Sequence, residues 1–351
     1  MSWRDGGEWI EWTQLSTEPL LAAQAGSAPA LGKLKTILGG LLALAIIVDV
    51  ARGVSLEAFW RGLSQAHWPL FLLAAVASFT LWLLADSLLM ARLFSYFHRP
   101  FAYSEMLVGV STQHFLQLVN TALAASALVL FVHRRREVPL LAAGCTLAFQ
   151  TFVDIQTLAV MELLAALLLA PAPLLLPWYY SAAGCVLAGG LSVLCMSGRP
   201  RWKPARWLYD RPSLTAIRQA RLRHYAVLMS IRLATLSLQA ILLYVEMRAF
   251  GIMLSPGLVL ASIPAIVILA ALPLTPLGLG STQALFVYGF QAVADRGVLL
   301  ALSMAIGAMD LLLRIPLGIA LADVLGRDFT LAPRAPACAT RWDAENAWER
   351  M

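Results

Sequence analysis

Residues 271–281 read Ala-Leu-Pro-Leu-Thr-Pro-Leu-Gly-Leu-Gly-Ser, a segment apolar enough for lipid that no unbroken helix can traverse. Pro273 and Pro276 remove amide donors, and Gly278 and Gly280 loosen the backbone. Backbone freed in this way survives at membrane depth only where protein buries it or a wet cavity solvates it. A second apolar stretch, 105–132, is interrupted by His114, Gln117 and Asn120 and lies in the matching half of the chain. Broken segments in corresponding halves are the best sequence pointer to a binding site between structural repeats.

The rest of the chain supplies the lipid setting. Only 13% of its residues are charged, against about 25% in soluble domains, and 60% are hydrophobic. Stretches 34–54, 69–90, 138–170, 177–196, 226–247 and 298–324 reach or exceed the ~20 residues that cross a bilayer as a helix. The expected fold class is therefore an all-α polytopic membrane protein. It has about six spanning helices plus two re-entrant hairpins, 105–132 and 257–294, in an inverted-repeat-like arrangement. Residues 31–327 form this one transmembrane domain, between tails 1–30 and 328–351 that are too short for cores of their own. The first span is expected to act as an uncleaved signal.

Charge distribution orients the domain. Eight basic residues and one acid, Asp210, fall between 199 and 223, whereas 171–177 carries no charge. The positive-inside rule makes the loop 197–224 cytoplasmic and places both tails on the same side. If 105–132 crossed once, the run His133-Arg134-Arg135-Arg136 and the 199–223 cluster would face outward. If it dips in and returns, both face the cytoplasm. The second reading puts 20 of the 26 Lys and Arg inside, with Arg52, Arg61, Arg248 and Arg296 outside and Arg232 and Arg314 within spans. Eight simple spans are the alternative. The net charge of +6 is thus a topology signal rather than a nucleic-acid footprint. Aromatic residues interleaved with the basic ones in 197–224 also allow an interfacial helix on anionic headgroups.

Ionisable groups inside a bilayer default to functional candidates. Here they are Asp86, Asp154, Glu162, Arg232, Asp310 and Arg314. Asp310 and Arg314 stand four apart and share a helix face. Arg232 needs a carboxylate from another helix, Asp154 or Asp86. Glu246 and Asp49 lie near outer span ends, where snorkelling or water is expected to satisfy them. Asn120 in the first hairpin and Thr275, Ser281 and Gln283 in the second complete the candidate substrate-binding set. A half-helix starting near Ser281 would aim N–H groups at a phosphate, or Ser281 would simply cap it. His114 reads as a satisfied interior histidine.

No metal or cofactor is expected. Cys145, Cys185, Cys195 and Cys338 lack metal-ligand spacing, and no HExxH, GxSxG triad or Walker A sequence is present. Asp49 and Glu57 leave room for a polyprenyl-phosphate glycosyltransferase, although every outer loop is short. A non-transporting accessory subunit of an envelope enzyme is the other alternative.

Three features carry a resemblance. Residues 243–252, Leu-Tyr-Val-Glu-Met-Arg-Ala-Phe-Gly-Ile, precede Leu272-Pro273-Leu274-Thr275-Pro276-Leu277-Gly278-Leu279-Gly280, and Leu312-Leu313-Arg314-Ile315-Pro316 follows. Together they resemble the flippase-like integral membrane family that includes the transmembrane half of lysylphosphatidylglycerol synthases. Asn120, the basic run 134–136 and Asp154 fall where that family has an asparagine, an arginine-rich turn and an aspartate. The chain departs from the family at Thr121–Ser126, at Leu277, and at Thr282-Gln283, where the family carries arginine-glutamate. The resemblance implies a bacterial-type inner-membrane protein that moves a lipid or polyprenyl-linked lipid bearing an anionic or phosphate headgroup. It is expected to work without enzymatic activity, as a homodimer or beside a partner envelope enzyme.

Overall fold

A computed structural model describes residues 55–168, 183–187, 189, 220–271 and 281–330. Among them every regular element is a helix, and four helices are long and apolar enough to cross a membrane. The expected spans 34–54 and most of 177–196, the loop up to 219, Asp49, the N-terminal tail and residues 331–351 lie outside the described residues, while α-helix continues to Thr330, into the start of the expected C-terminal tail.

The order is α1 (Leu56–Gln65), α2 (Trp68–Phe97), α3 (Tyr103–Gln117), α4 (Thr121–Arg136) and α5 (Leu140–Leu168). After these come α6 (Leu222–Ala249), α7 (Pro256–Ala271), α8 (Ser281–Phe290) and α9 (Arg296–Thr330). The spanning candidates are α2, α5, α6 and α9. Local chemistry sets the boundaries. Ser55 Oγ accepts from Ala58 N at 3.2 Å to start α1, and Pro69 sits in the first turn of α2, where its missing donor costs nothing. Gly251, at φ +75°, closes α6: its N–H donates to Arg248 O while Ile252 N donates to Met247 O. Only glycine takes that left-handed position without strain.

The segment 103–136 is a helical hairpin. Its helices have 15 and 16 residues, about 22–24 Å each, which is short of the ~30 Å hydrocarbon core. Its ends are tied together: Arg136 Nη2 donates to Glu105 Oε2 at 2.6 Å, and the Arg136 guanidinium lies 5.5 Å from the Phe101 ring centroid. Residues 256–290 follow a similar plan, with α7 and α8 packed on each other and 272–280 between them outside the described residues.

Helix α1, absent from the sequence reading, packs across the start of α9. Gly62 and Gly297 permit the approach: a methyl at Gly62 would lie 3.1 Å from Val298 Cα, and one at Gly297 would lie 2.6 Å from Ala58 Cβ. Leu56 and Trp60 face outward from α1.

Two apolar cores occupy opposite ends of the bundle. One joins Phe71 of α2, Met161 of α5, Met247 of α6, Phe286 of α8 and Leu299 of α9. The other joins Phe94 of α2, Met106 of α3, Phe131 of α4, Phe149 of α5 and Leu228 of α6. Three charged side chains fall between them: Asp86 lies between Ala75 and Leu89, Asp154 between Val153 and Leu158, and Arg232 between Leu228 and Leu236. The fold therefore sandwiches a polar layer between two greasy ones.

Candidate functional site

Arg232 anchors the polar layer. Its Nη1 reaches Asp86 Oδ1 at 2.5 Å, and its Nη2 donates to Asp154 Oδ2 at 3.1 Å. Its Nε lies 2.9 Å from Asp154 Oδ1, an ion pair whose angle is too bent for a hydrogen bond. The Trp82 ring covers the guanidinium with its centroid 4.7 Å from Cζ, and Gln150 Nε2 donates to Asp154 Oδ2 at 3.2 Å. Both expected partners of Arg232 are thus engaged at once. A guanidinium's planar fork suits this, since it can serve two carboxylates and still stack. Three spanning helices meet at this one side chain.

Arg314 organises a second constellation on α9. Its Nε donates to Asp310 Oδ1 at 2.9 Å, the pairing expected from four-residue spacing. Its Nη1 reaches into the first hairpin, 3.4 Å from the His114 carbonyl and 3.2 Å from Gln117 Oε1. These groups lie in the last turn of α3, where the helix dipole presents its negative end to a cation. One turn further along α9, the Phe115 ring packs against Gly318, so close that a methyl there would overlap the ring. The tip of the first hairpin therefore rests on α9 at Arg314 and Gly318.

The second hairpin approaches the same face of α9 from the other side. Gln283, in the first turn of α8, is 9% exposed, and a methyl at Gly307 would lie 3.8 Å from its Nε2. Residues 307, 310 and 314 share one helix face. The starts of the two returning half-structures are thus separated along α9 by the Asp310–Arg314 pair. That pair is also the more open of the two constellations: the Arg314 side chain is 17% exposed and Asp310 40%, against 8% for Arg232.

His114 links the constellations. Its Nε2 stands 3.5 Å from Asp86 Oδ2 while its carbonyl accepts from Arg314. It is 5% exposed and neither ring nitrogen has a hydrogen-bond partner among the described residues, so the expectation of a satisfied interior histidine does not hold.

The other expected site residues are placed as follows. Asn120 is exposed at the hairpin tip, where its Oδ1 caps α4 by accepting from Ala122 N at 2.7 Å and Leu123 N at 3.3 Å. Helix α8 begins at Ser281, as expected. Pro273, Thr275, Pro276, Gly278 and Gly280 lie outside the described residues, as does the Ser281 side chain. Glu246 departs from its expected wet rim: it is 4% exposed, enclosed by the helices. Glu57 is open to the surroundings and paired with Arg61 at 2.6 Å. Among the described residues no group of three or more His, Cys, Asp or Glu could hold a metal ion.

The chain matches the family described as lysylphosphatidylglycerol synthase TM region over residues 36–318. No curated protein and no solved structure matches it. The described helices and the matched segment agree on an integral membrane protein connected with lipid synthesis or transport. The chain belongs to the lysylphosphatidylglycerol synthase transmembrane-region family.

Proposed function

We propose that this protein carries a lipid or polyprenyl-linked lipid between the leaflets of a bacterial-type inner membrane, with both termini in the cytoplasm. Segments 105–132 and 257–294 would enter from opposite faces as re-entrant hairpins. The headgroup would pass between their tips while the acyl or prenyl tails remain in lipid. The observation that carries this reading is the position of Arg314. It is a partly open guanidinium at the level where both hairpins reach α9, paired among the described residues with one carboxylate. A cation so placed attracts an anionic or phosphate headgroup, and Asp310 holds it in register when no headgroup is bound. Arg232, saturated by two acids, would be the fixed strut against which the tips pack.

Leaflet exchange in proteoliposomes tests the proposal. A fluorescent anionic lipid should equilibrate across vesicles containing the intact protein and stay put in protein-free ones. Mass spectrometry of lipid retained through purification would name the headgroup class. A phosphate-bearing species supports the proposal, and exchange no faster than in empty vesicles with every anionic lipid tried rejects it.

A further inference from the structure

The charges in the layer between the two cores do not balance. Asp86 and Asp154 bring two negative charges and Arg232 brings one positive. The fork of Arg232 is fully used on these two acids, and its face is covered by Trp82. Among the described residues no other lysine or arginine is paired with either carboxylate. The remaining ionisable neighbour is His114, buried, with Nε2 facing Asp86 Oδ2 at 3.5 Å and Nδ1 unpartnered.

Among the described residues the surroundings of His114 offer no other compensation. Helix α3 packs against α2, α4 and α9. From α2 comes Asp86, with Arg232 of α6 behind it. Helix α4 has no ionisable residue before His133, at its far end. Helix α9 contributes Asp310 and Arg314, which neutralise each other. On α3 itself, Tyr103 and Glu105 stand at the opposite end, where Glu105 is held by Arg136.

We infer that this cluster binds one exchangeable proton, shared between His114 Nε2 and Asp86 Oδ2, and that the proton docks the tip of the first hairpin against α2. With the proton bound, two acids face one guanidinium and one imidazolium, and the layer is neutral. An imidazolium also turns the 3.5 Å approach into a charge-assisted contact. When the proton leaves to water, one buried negative charge stands uncompensated and His114 loses its attraction to Asp86. The tip then keeps the Arg314 contacts to the His114 carbonyl and Gln117, and the packing of Phe115 on Gly318. The device is a proton-sensitive latch, and it holds whatever the protein carries.

Spin labels test it in the full chain. One goes at Val119 on the hairpin tip and one at Ile241 on α6, both exposed, with the native cysteines replaced and the protein in lipid nanodiscs. Distances are read at pH about 5.5 and about 8.5, on either side of the histidine range. The expected result is one narrow distribution at low pH and a displaced or broadened one at high pH, shifted by about one helical turn, ~5 Å. His114→Gln removes the proton site and Asp86→Asn balances the charges permanently, so either change should abolish the pH response. A distribution that ignores pH in the intact sequence overturns the inference, as does a shift that survives in both variants. If one variant does not fold, the other decides; if neither folds, the intact sequence does. Failure of leaflet exchange would reject the transport proposal and leave this measurement unaffected.

Discussion

Arg136 closes on Glu105 at 2.6 Å although thirty-one residues separate them, so the chain leaves and re-enters one end of the bundle between these two side chains. The intervening helices are each too short to cross a bilayer comfortably, and their tip meets α9 at Arg314. A hairpin pinned at its base and propped at its tip can bring main-chain carbonyls deep into the bundle. There the protein, rather than water, must satisfy them.

Removing Arg232 should be among the most damaging single changes. Arg232→Ala strands two buried carboxylates, and breaking a buried pair from one side costs about 3–5 kcal/mol. Thermal unfolding in detergent should show a large drop in melting temperature. Arg232→Lys should recover part of it, since a point charge cannot reproduce the two-acid fork. A melting temperature unchanged by Arg232→Ala would mean that the polar layer does not hold the helices together.

Gly318 and Phe115 should behave as a coupled pair. Gly318→Ala drives a methyl into the ring and should destabilise by about 1–3 kcal/mol. In a Phe115→Ala background the same change should cost almost nothing. Equal penalties in both backgrounds, measured by a double-mutant cycle, would place the hairpin tip elsewhere.

Much of this architecture can be read from the residues alone. The long spans are visible because hydrocarbon-length apolar runs have few other uses. Asp310–Arg314 follows from helical spacing, and Arg232 had to find an acid because an unpaired guanidinium in lipid is too costly. Contacts between distant segments carry no such signal. That Arg232 engages Asp86 and Asp154 together, that Glu105 meets Arg136, and that Phe115 needs the bare backbone of Gly318 depend on how helices cross. Helix α1 leaves little trace in the sequence because ten amphipathic residues fall below any span-length window. Asn120, singled out as a polar break, turns out to cap α4, a role visible in its place just before a run of helix formers.

Arg314 should matter more for transport than for folding. Its partly open position and single acid predict that Arg314→Ala keeps most of the thermal stability. Loss of one charge-assisted contact to a headgroup, about 1.5–3 kcal/mol, should slow leaflet exchange by about tenfold or more. Normal exchange by a well-folded Arg314→Ala protein would remove this residue from the headgroup path.

His98 predicts a pH dependence of stability. It sits just past the end of α2 with Nε2 2.8 Å from Thr146 Oγ1, and burial lowers its pKa from 6.5 to about 4. In the unfolded chain it takes up a proton below about pH 6.5, while in the fold it stays neutral until about pH 4. Its contribution is therefore fully present above pH 6.5 and declines as pH falls through that interval. Melting temperature should drop on acidification across it, and His98→Asn should lessen the drop. An equal drop in both proteins would assign it to other groups.

Sidedness of the first hairpin is the observation on which the opposed-hairpin arrangement stands or falls. Single cysteines at Arg99 and Arg135, with a control at Arg61, can be probed by a membrane-impermeant thiol reagent in sealed right-side-out and inverted vesicles. Both hairpin positions should label from the same face, and Arg61 from the other. Labelling of Arg99 and Arg135 from opposite faces would show that 105–132 crosses the bilayer once, and the headgroup path between the hairpin tips would not exist.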